Sequence, residues 1–386
     1  MKKLGLYIHI PFCLKKCLYC DFYSIPRAGV SDEYLSALCQ QMDEYKLQTS
    51  KYAVDTVFIG GGTPSLLNEK QIYSLFRQIY RDFNVTKQAE VTIEANPGTI
   101  DKKKFQAFKK AGVNRISLGM QSFCSSDLSV CGRIHDINEN IRAFSDARDA
   151  GFDNISVDIM YGLPGQTMAE VVKSLDTVFK LDPDHISFYG LKLEEGTPFY
   201  NMQDDLVFPS EDSESEMYFV SRGLMQQQGF LQYEISNFAK KNKYCRHNVK
   251  YWNGEEYLGI GPAAHSYFAG KRFSFKKDLK LYIDSFSDKG TNETIIDEMI
   301  DIPPSARVAE YVMLRMRLTD GIDREKFHKI FGRDFDSLYL SKFTPYIKSG
   351  HIVPTEKGYA FTPEGMYVSN YILARIIDFD MTIPGA

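Results

Sequence analysis

A repeated alternation of strand and helix patterns from residue 4 to residue 193 constrains the fold of this chain more than any other feature. Six apolar, β-branched runs of strand length are each followed by a stretch of helical periodicity. The predicted strands are GLYIHIPF, DTVFIGG, EVTIEAN, RISLGMQ, NISVDIMYG and HISFYGLKL. The predicted helices lie near residues 32–49, 69–82, 101–110, 137–149, 167–180 and 213–228. Because parallel strands need such crossovers, the pattern predicts an α/β fold with a partial (β/α)6 barrel.

The rest of the chain changes character twice, which predicts three segments. We expect the barrel core to occupy residues 1–230, and residues 231–302 to form a Gly-rich, aromatic extension. In residues 303–386, two helical patterns precede a two-strand pattern, which predicts a small winged-helix-like α+β domain. Residues 301–386 contain 11 Lys plus Arg and 11 Asp plus Glu. This domain therefore lacks the basic surface that contacts to DNA phosphates require.

Charge and hydropathy exclude several classes of function. The formal net charge of −4 provides no field that would recruit nucleic acid or anionic lipid. No apolar run approaches the roughly 18 residues of a membrane span. The N-terminal MKKLGLYIHIPF contains Tyr7 and His9 and has no small-residue cleavage site, so it is interpreted as a buried strand and not as a signal peptide. Seven cysteines without an export signal indicate a reducing, cytoplasmic environment.

Three of the seven cysteines lie within eight residues, directly after the first predicted strand. Cys13, Cys17 and Cys20 have the spacing CxxxCxxC. Thiolates are the usual ligands of a [4Fe–4S] cluster, and three of them leave one of the four irons open to a small chelating ligand. The alternative is a structural Cys3His zinc site that uses His9 or a distant histidine. The sequence lacks the second cysteine pair that such zinc sites usually contain.

Polar residues follow several predicted strands at the edge where βα barrels place their chemistry. The turn GGGTPS, residues 60–65, contains glycines that allow backbone groups to approach a ligand closely. The other polar residues at strand ends or in the turns beyond them are Glu94, Gln121, Arg133 and Asp158. Each alone would be an ordinary hydrogen-bonding residue, but four on successive units indicate one polar ligand.

These motifs resemble those of the radical S-adenosylmethionine proteins, whose hallmark is CxxxCxxC after a first strand. GGGTPS, GMQSF, YGLPGQ and GTPF are further similar to the branch that contains oxygen-independent coproporphyrinogen III oxidase and the HemW-type haem chaperones. The resemblance covers almost the whole chain and implies a [4Fe–4S] cluster on Cys13, Cys17 and Cys20. It implies that S-adenosylmethionine is held by Tyr7, the Tyr19 backbone, Gly61, Gly62, Thr63, Glu94, Gln121, Arg133 and Asp158.

Two features distinguish the oxidases from the haem chaperones. The oxidases have a further cysteine two positions after the third, where this chain has Phe22, and they carry a long arm before the cluster, whereas twelve residues precede Cys13 here. The chaperones have phenylalanine at that position and an HNxxYW motif. The motif is present here as His247, Asn248, Tyr251 and Trp252. The resemblance therefore implies a haem chaperone that does not convert coproporphyrinogen III.

The HNxxYW motif has side chains that suit haem. A neutral imidazole can ligate haem iron, and Tyr251 and Trp252 offer flat apolar contact to a porphyrin. The resemblance implies that His247 holds haem, with His265 as the second candidate. The alternative is that His247 is a structural hydrogen-bonding residue and that the aromatic rings belong to the core.

The expected function is a cytoplasmic haem chaperone that binds haem, a [4Fe–4S] cluster and S-adenosylmethionine. It would deliver haem to an apo-haemoprotein, such as a membrane-bound respiratory protein. The alternative is an active radical enzyme acting on a tetrapyrrole or another small substrate, and a radical enzyme modifying RNA is disfavoured by the charge. The sequence leaves open the haem recipient, the electron donor, the oligomeric state and whether a radical reaction occurs in normal use.

Overall fold

The computed structural model describes residues 1–287 and 291–379 and confirms the six predicted βα units. The strands of these units are β1 Lys2–Ile10, β2 Tyr52–Gly61, β3 Val85–Ala95, β4 Arg115–Gln121, β5 Ile155–Tyr161 and β6 His185–Gly190. Their helices are α1 Asp32–Thr49, α2 Glu69–Asp82, α3 Lys102–Ala111, α4 Ile137–Asp149, α5 Met168–Leu181 and α6 Glu211–Gln227. The six strands are parallel and pair in chain order, which is the arrangement of a partial (β/α)6 barrel.

Each of the six helices begins at a side chain that accepts a hydrogen bond from the backbone of the first turn. These N-cap residues are Ser31, Asn68, Asp101, Asp136, Thr167 and Ser210. Asn68, Asp136 and Thr167 are part of complete capping boxes. Because such caps satisfy backbone donors that the helix leaves free, they set where each crossover helix starts.

Residues 231–302, predicted as an extension, add six strands to the edges of the barrel sheet. Tyr257–Ile260 pairs with β1 in parallel, followed outward by His265–Phe268, Lys271–Phe275 and Ile296–Asp301. At the other edge, Asn237–Ala239 and Leu231–Gln232 continue the sheet beyond β6 in antiparallel pairing. Buried side chains from Leu4 to Ile295 form one continuous hydrophobic core, so these residues pack with the barrel.

The C-terminal segment has its own core, as expected for a small winged-helix-like domain. Its helices are Pro304–Arg315, Arg324–Phe331, Phe335–Lys348, Pro363–Tyr367 and Ser369–Ile376. Its three-stranded antiparallel sheet has the order Ile322–Asp323, Gly358–Phe361, Ile352–Pro354. The predicted domain extends to residue 386, and residues 380–386 lie outside the described residues.

Several short elements connect or flank the barrel units. The strands Phe12–Cys13 and Ile25–Pro26 form a separate parallel pair. The short helices are Ser125–Val130, Pro198–Asn201, Arg246–Trp252, Leu279–Ser287 and Asn292–Ile295, with 3-10 turns at Pro64–Leu66 and Pro97–Thr99. In the part of the chain that the structure describes, no helix has both the length and the apolar character needed to cross a membrane.

Candidate functional site

An open cavity lies at the carboxyl ends of the barrel strands, where the sequence places its polar motifs. Its volume is about 130 Å³. All the residues predicted to hold the cluster and S-adenosylmethionine line it, with the exception of Tyr7. They are Cys13, Cys17, Tyr19, Cys20, Gly61, Gly62, Thr63, Glu94, Gln121, Arg133 and Asp158. The fold thus brings residues from five strand ends to one mouth.

The loop that carries the three cysteines is held in place by backbone hydrogen bonds to distant segments. Leu18 donates to the Cys131 carbonyl over 3.1 Å, and its own carbonyl accepts from the Phe199 amide over 3.0 Å. The Arg27 amide donates to the Cys13 carbonyl over 2.8 Å. These contacts come from two other barrel loops and from the short sheet after the loop, so the position of the cysteines depends on the folded barrel.

Each of the three cysteine sulfurs has one hydrogen-bond donor. The Thr63 hydroxyl lies 3.3 Å from Cys13 Sγ, and Arg133 Nη1 lies 3.3 Å from Cys17 Sγ. Cys20 accepts a hydrogen bond from the backbone amide of Phe22, which lowers the pKa of its thiol. Burial has the larger effect and raises this pKa to about 11, and the neighbouring Cys17 and Cys13 add to the rise. A metal that binds Cys20 as a thiolate must therefore displace its proton.

The three thiols fit a cluster better than a single ion. Within residues 1–287 and 291–379, no group of three or more His, Cys, Asp or Glu side chains is arranged to hold one metal ion. In a [4Fe–4S] cluster each thiolate binds a different iron, so the ligands surround the cluster instead of converging on one point. His9, the nearby candidate for a fourth zinc ligand, uses both ring nitrogens, with Tyr7 Oη and the Tyr23 carbonyl at 2.9 Å each.

The GGGTPS turn needs its glycines because other groups occupy the space of a side chain. Gly61 has φ of +110°, and a Cβ there would lie 2.5 Å from the His9 ring. A Cβ on Gly62 would lie 2.6 Å from the Phe12 carbonyl oxygen. The Gly61 amide donates to Glu94 Oε2 over 3.1 Å. The turn therefore packs against β1 and orients the Glu94 carboxylate, which lies near the end of β3.

Two half-buried carboxyl groups, Glu94 and Asp158, face the cavity. Burial raises the pKa of Glu94 to about 8, and the nearby Asp158 contributes, while the Gly61 amide and Arg115 oppose the rise. Burial also raises the pKa of Asp158, against hydrogen bonds from Ser187 and Ser117 and the charge of Arg115. Such a pair stays costly to ionise until a cation arrives, which suits a ligand that carries positive charge.

The remaining polar residues of the mouth are held by one another. Gln121 ends β4 with φ of +68°, a strained conformation for a residue with a side chain. Its Oε1 accepts from the Tyr189 hydroxyl over 2.7 Å, and Arg133 donates to the Gly119 carbonyl. Arg133 Nε is buried and has no hydrogen-bond partner among the described residues. The guanidinium therefore keeps one donor that no described residue satisfies.

The structure adds cavity residues that the sequence reasoning missed. Asn96, Ser117 and Tyr189 line the cavity beside the predicted set. Asn96 and Tyr189 lie at or just beyond strand ends, so the rule that strand ends meet at the mouth could have identified them, whereas Ser117 lies near the start of β4. Tyr7 lies on β1 outside the cavity lining, with its ring 6.3 Å from that of Phe58.

The HNxxYW motif lies elsewhere, in the helix Arg246–Trp252, which packs against the amino-terminal side of the barrel. The backbone amides of Arg246 and His247 donate to the Glu90 carboxylate over 3.0 Å each. Lys250, nearly inaccessible, pairs with Asp55 at 2.7 Å. The motif lies outside the six βα units in the sequence, and its helix is anchored to residues on β2 and β3.

His247 itself is fully satisfied inside this packing. Its Nδ1 lies 2.9 Å from Thr56 Oγ1, its Nε2 lies 2.8 Å from Tyr251 Oη, and its ring stacks on Phe58 at 5.3 Å. The residue is 1% exposed, and burial lowers the pKa of the imidazole to about 3. Thr56 precedes Gly61 by five residues, or about 16 Å of strand, and His247 is not among the residues that line the cavity. His265, by contrast, is exposed at the start of the strand His265–Phe268.

Comparison with known proteins identifies the class to which this fold and site belong. Residues 7–178 match the model of the radical SAM superfamily, and residues 302–368 match the HemN C-terminal domain. The solved structure of coproporphyrinogen III oxidase (HemN) from Escherichia coli superposes with a TM-score of 0.85 over 98% of this chain and 91% of that chain. At 23% identity this match shows the shared fold.

The similarity in sequence is closer to one family within that class. The heme chaperone HemW of Bacillus subtilis is 38% identical over 96% of this chain and 98% of its own length. The heme chaperone HemW of Escherichia coli is 33% identical over 96% of this chain and 97% of its own length. The chain belongs to the HemW family of radical SAM proteins, and this class implies a [4Fe–4S] cluster and S-adenosylmethionine as cofactors.

Proposed function

We propose that this protein is a cytoplasmic haem chaperone that binds haem, a [4Fe–4S] cluster and S-adenosylmethionine and delivers haem to an apo-haemoprotein. The observation that supports this most is the similarity, from one end of the chain to the other, to proteins named heme chaperone HemW. The recipient is an apo-haemoprotein, for which a membrane-bound respiratory protein is one candidate class.

The cavity supports the cofactor part of the proposal. Cys13, Cys17 and Cys20 would hold three irons and leave the fourth to the methionine amine and carboxylate. Glu94 and Asp158 suit the cationic groups of S-adenosylmethionine, and the Arg133 guanidinium suits its carboxylate. The other residues proposed to hold the ligand are Tyr7, the Tyr19 backbone, Gly61, Gly62, Thr63 and Gln121. When bound, the cluster and S-adenosylmethionine supply one-electron reductive chemistry.

Phe22 supports the choice of chaperone over oxidase. It occupies the position of the oxidases' additional cysteine, lines the cavity and is 71% exposed. A phenyl ring cannot supply the thiol that the oxidase motif has there. We therefore propose that the protein does not convert coproporphyrinogen III.

The haem ligand proposed from the motif, His247, remains a prediction with a structural condition attached. Because both imidazole nitrogens are hydrogen-bonded and the ring is buried, iron could bind only if the helix Arg246–Trp252 left its place. Exposed His265 requires no such movement and is the second candidate.

Haem titration of the anaerobically purified protein tests this proposal. A shifted Soret band, followed by transfer of haem to an apo-haemoprotein, is expected for a chaperone. His247→Ala and His265→Ala should then be compared with Tyr251→Phe, which keeps the imidazole and removes one of its partners. If His247 is the ligand, only His247→Ala loses the shifted band; an unchanged spectrum and affinity in this variant would exclude it. Wild-type protein that binds no haem would overturn the chaperone proposal.

The intact polar mouth of the barrel supports a second candidate, an active radical enzyme on a tetrapyrrole or another small substrate. Anaerobic assays that quantify 5′-deoxyadenosine together with a product derived from the substrate separate the two. Stoichiometric turnover of both would favour the enzyme, whereas haem transfer without such turnover favours the chaperone.

A further inference from the structure

We propose that Thr63 raises the reduction potential of the iron–sulfur cluster by donating a hydrogen bond to the Cys13 sulfur, and that Asn96 directs this bond. The inference rests on the proposed cluster and gives Thr63 a role distinct from contact with S-adenosylmethionine. Thr63 and Asn96 would be positioning residues that act on the cluster through its ligand.

The direction of the hydrogen bond follows from the donors available. Asn96 Nδ2 lies 2.9 Å from Thr63 Oγ1, and Thr63 Oγ1 lies 3.3 Å from Cys13 Sγ. An amide nitrogen can only donate, so the hydroxyl accepts from Asn96. The single hydroxyl proton is then left for the sulfur.

The backbone around both residues is held rigidly. Thr63 is 2% exposed, and its amide donates to the Phe12 carbonyl over 2.7 Å. The Asn96 amide donates to Ser65 Oγ over 3.1 Å, and Ser65 Oγ lies 2.5 Å from Thr99 Oγ1. The Thr63 hydroxyl dipole is therefore oriented toward the sulfur before the cluster is reduced, and little reorganisation accompanies reduction.

Of the three hydrogen-bond donors to the cysteine sulfurs, only Thr63 can be removed without other changes to the site. Cys17 accepts a hydrogen bond from the charged guanidinium of Arg133, and Cys20 accepts one from the backbone amide of Phe22. Replacing Arg133 would change the charge of the cavity, and the backbone donor cannot be removed by an ordinary substitution. The Thr63 hydroxyl is neutral and has an isosteric replacement in valine.

Reduction adds negative charge that the cluster shares with its thiolate sulfurs. A donor at a sulfur stabilises the reduced form more than the oxidised form, which makes the potential less negative. Loss of the donor should shift the potential in the opposite direction.

The experiment is a redox titration of the reconstituted cluster, followed by electron paramagnetic resonance, without S-adenosylmethionine. Wild type is compared with Thr63→Val, which removes the hydroxyl, and with Thr63→Ser, which retains it. Asn96→Leu removes the directing amide without adding charge and leaves Thr63 in place. Iron is quantified in every sample.

At the wild-type midpoint, Thr63→Val should lower the ratio of reduced to oxidised cluster about tenfold, or about 59 mV for a one-electron couple. Asn96→Leu should shift the ratio in the same direction by less, because the hydroxyl becomes free to rotate. Thr63→Ser should stay close to wild type.

Three results would overturn the inference. They are an unchanged potential in Thr63→Val with full iron, an equal shift in Thr63→Ser and Thr63→Val, and, if Thr63→Val loses its iron, an unchanged potential in Asn96→Leu. A wild-type protein that cannot be loaded with about four irons would instead overturn the proposed cofactor, and this inference with it.

Discussion

The affinity of the cluster-free protein for S-adenosylmethionine should rise with pH between pH 6 and pH 7, because Glu94 must lose a proton to bind the ligand's ammonium group. In the free protein, burial, assisted by Asp158, raises the pKa of Glu94 to about 8. Glu94 is therefore mostly neutral in this range. A bound ammonium group stabilises the carboxylate, so binding releases a proton from this residue.

The magnitude follows from the fraction of Glu94 that is already ionised. With a pKa of about 8, this fraction is about 1% at pH 6 and about 9% at pH 7, so the association constant should increase about ninefold. The association constant rises with pH because the bound state holds fewer protons than the free state. The increase should level off near pH 8, where the ligand's own amine, with a pKa of about 8, begins to lose its charge.

Equilibrium dialysis of the protein without its cluster measures this dependence, because the ligand's amine then keeps its proton instead of binding iron. Calorimetry in two buffers of different ionisation enthalpy counts the protons released. Glu94→Gln is the matched control: it should bind more weakly, by about 1.5 to 3 kcal/mol for a hydrogen bond to a charged group, and show no pH dependence from pH 6 to pH 7. A flat profile in wild type, or equal affinity in Glu94→Gln, would refute the assignment of Glu94.

Three further predictions concern the cluster, the chemistry and the motif helix. Reconstituted protein should be brown with about four irons per chain, and Cys17→Ser should lose most of this iron because each thiolate is a required ligand; a colourless, folded zinc protein would contradict this. With reductant and S-adenosylmethionine present, the protein should form no protoporphyrinogen IX from coproporphyrinogen III, and robust turnover in a chromatographic assay would show that Phe22 does not mark a chaperone. His247→Ala should destabilise the apo-protein by about 2 to 6 kcal/mol in urea unfolding, because it leaves Thr56 and Tyr251 without partners at about 1 to 3 kcal/mol each. Tyr251→Phe should cost less, and a change below about 0.5 kcal/mol in His247→Ala would show that these bonds do not stabilise the fold.

Local sequence was sufficient for the barrel and for most of its mouth. The alternation of strand and helix patterns, with capping residues such as Asn68 and Thr167, depends on neighbours a few positions apart. Parallel strands bring their carboxyl ends to one edge, so Glu94, Gln121 and Asp158 could be placed together before any coordinates were known. The CxxxCxxC motif that predicts the cluster ligands likewise lies within eight residues.

The C-terminal domain shows where local patterns become weak. The helix Phe335–Lys348 was not predicted, and it contains Pro345 in its interior. Proline removes a helical hydrogen bond and normally argues against a helix. Here Phe335, Tyr339 and Phe343, at helical spacing, bury their rings in the domain core. That burial stabilises the helix, but it depends on the strands and helices packed around it.

Only the tertiary structure decided the surroundings of His247. The sequence left two alternatives open for His247, a haem ligand or a structural hydrogen-bonding residue. In the fold, both nitrogens of the imidazole are hydrogen-bonded, one to Tyr251 and the other to Thr56, which lies 191 residues away in the sequence. Phe58 stacks on the ring. The contact with Tyr251 is local, four residues along the same helix, but no short-range pattern encodes the contacts with Thr56 and Phe58, because they arise when this helix packs against the barrel. A histidine can ligate a metal only if one of its ring nitrogens is free of other hydrogen-bond partners. Which groups bond to those nitrogens depends on packing across the whole barrel.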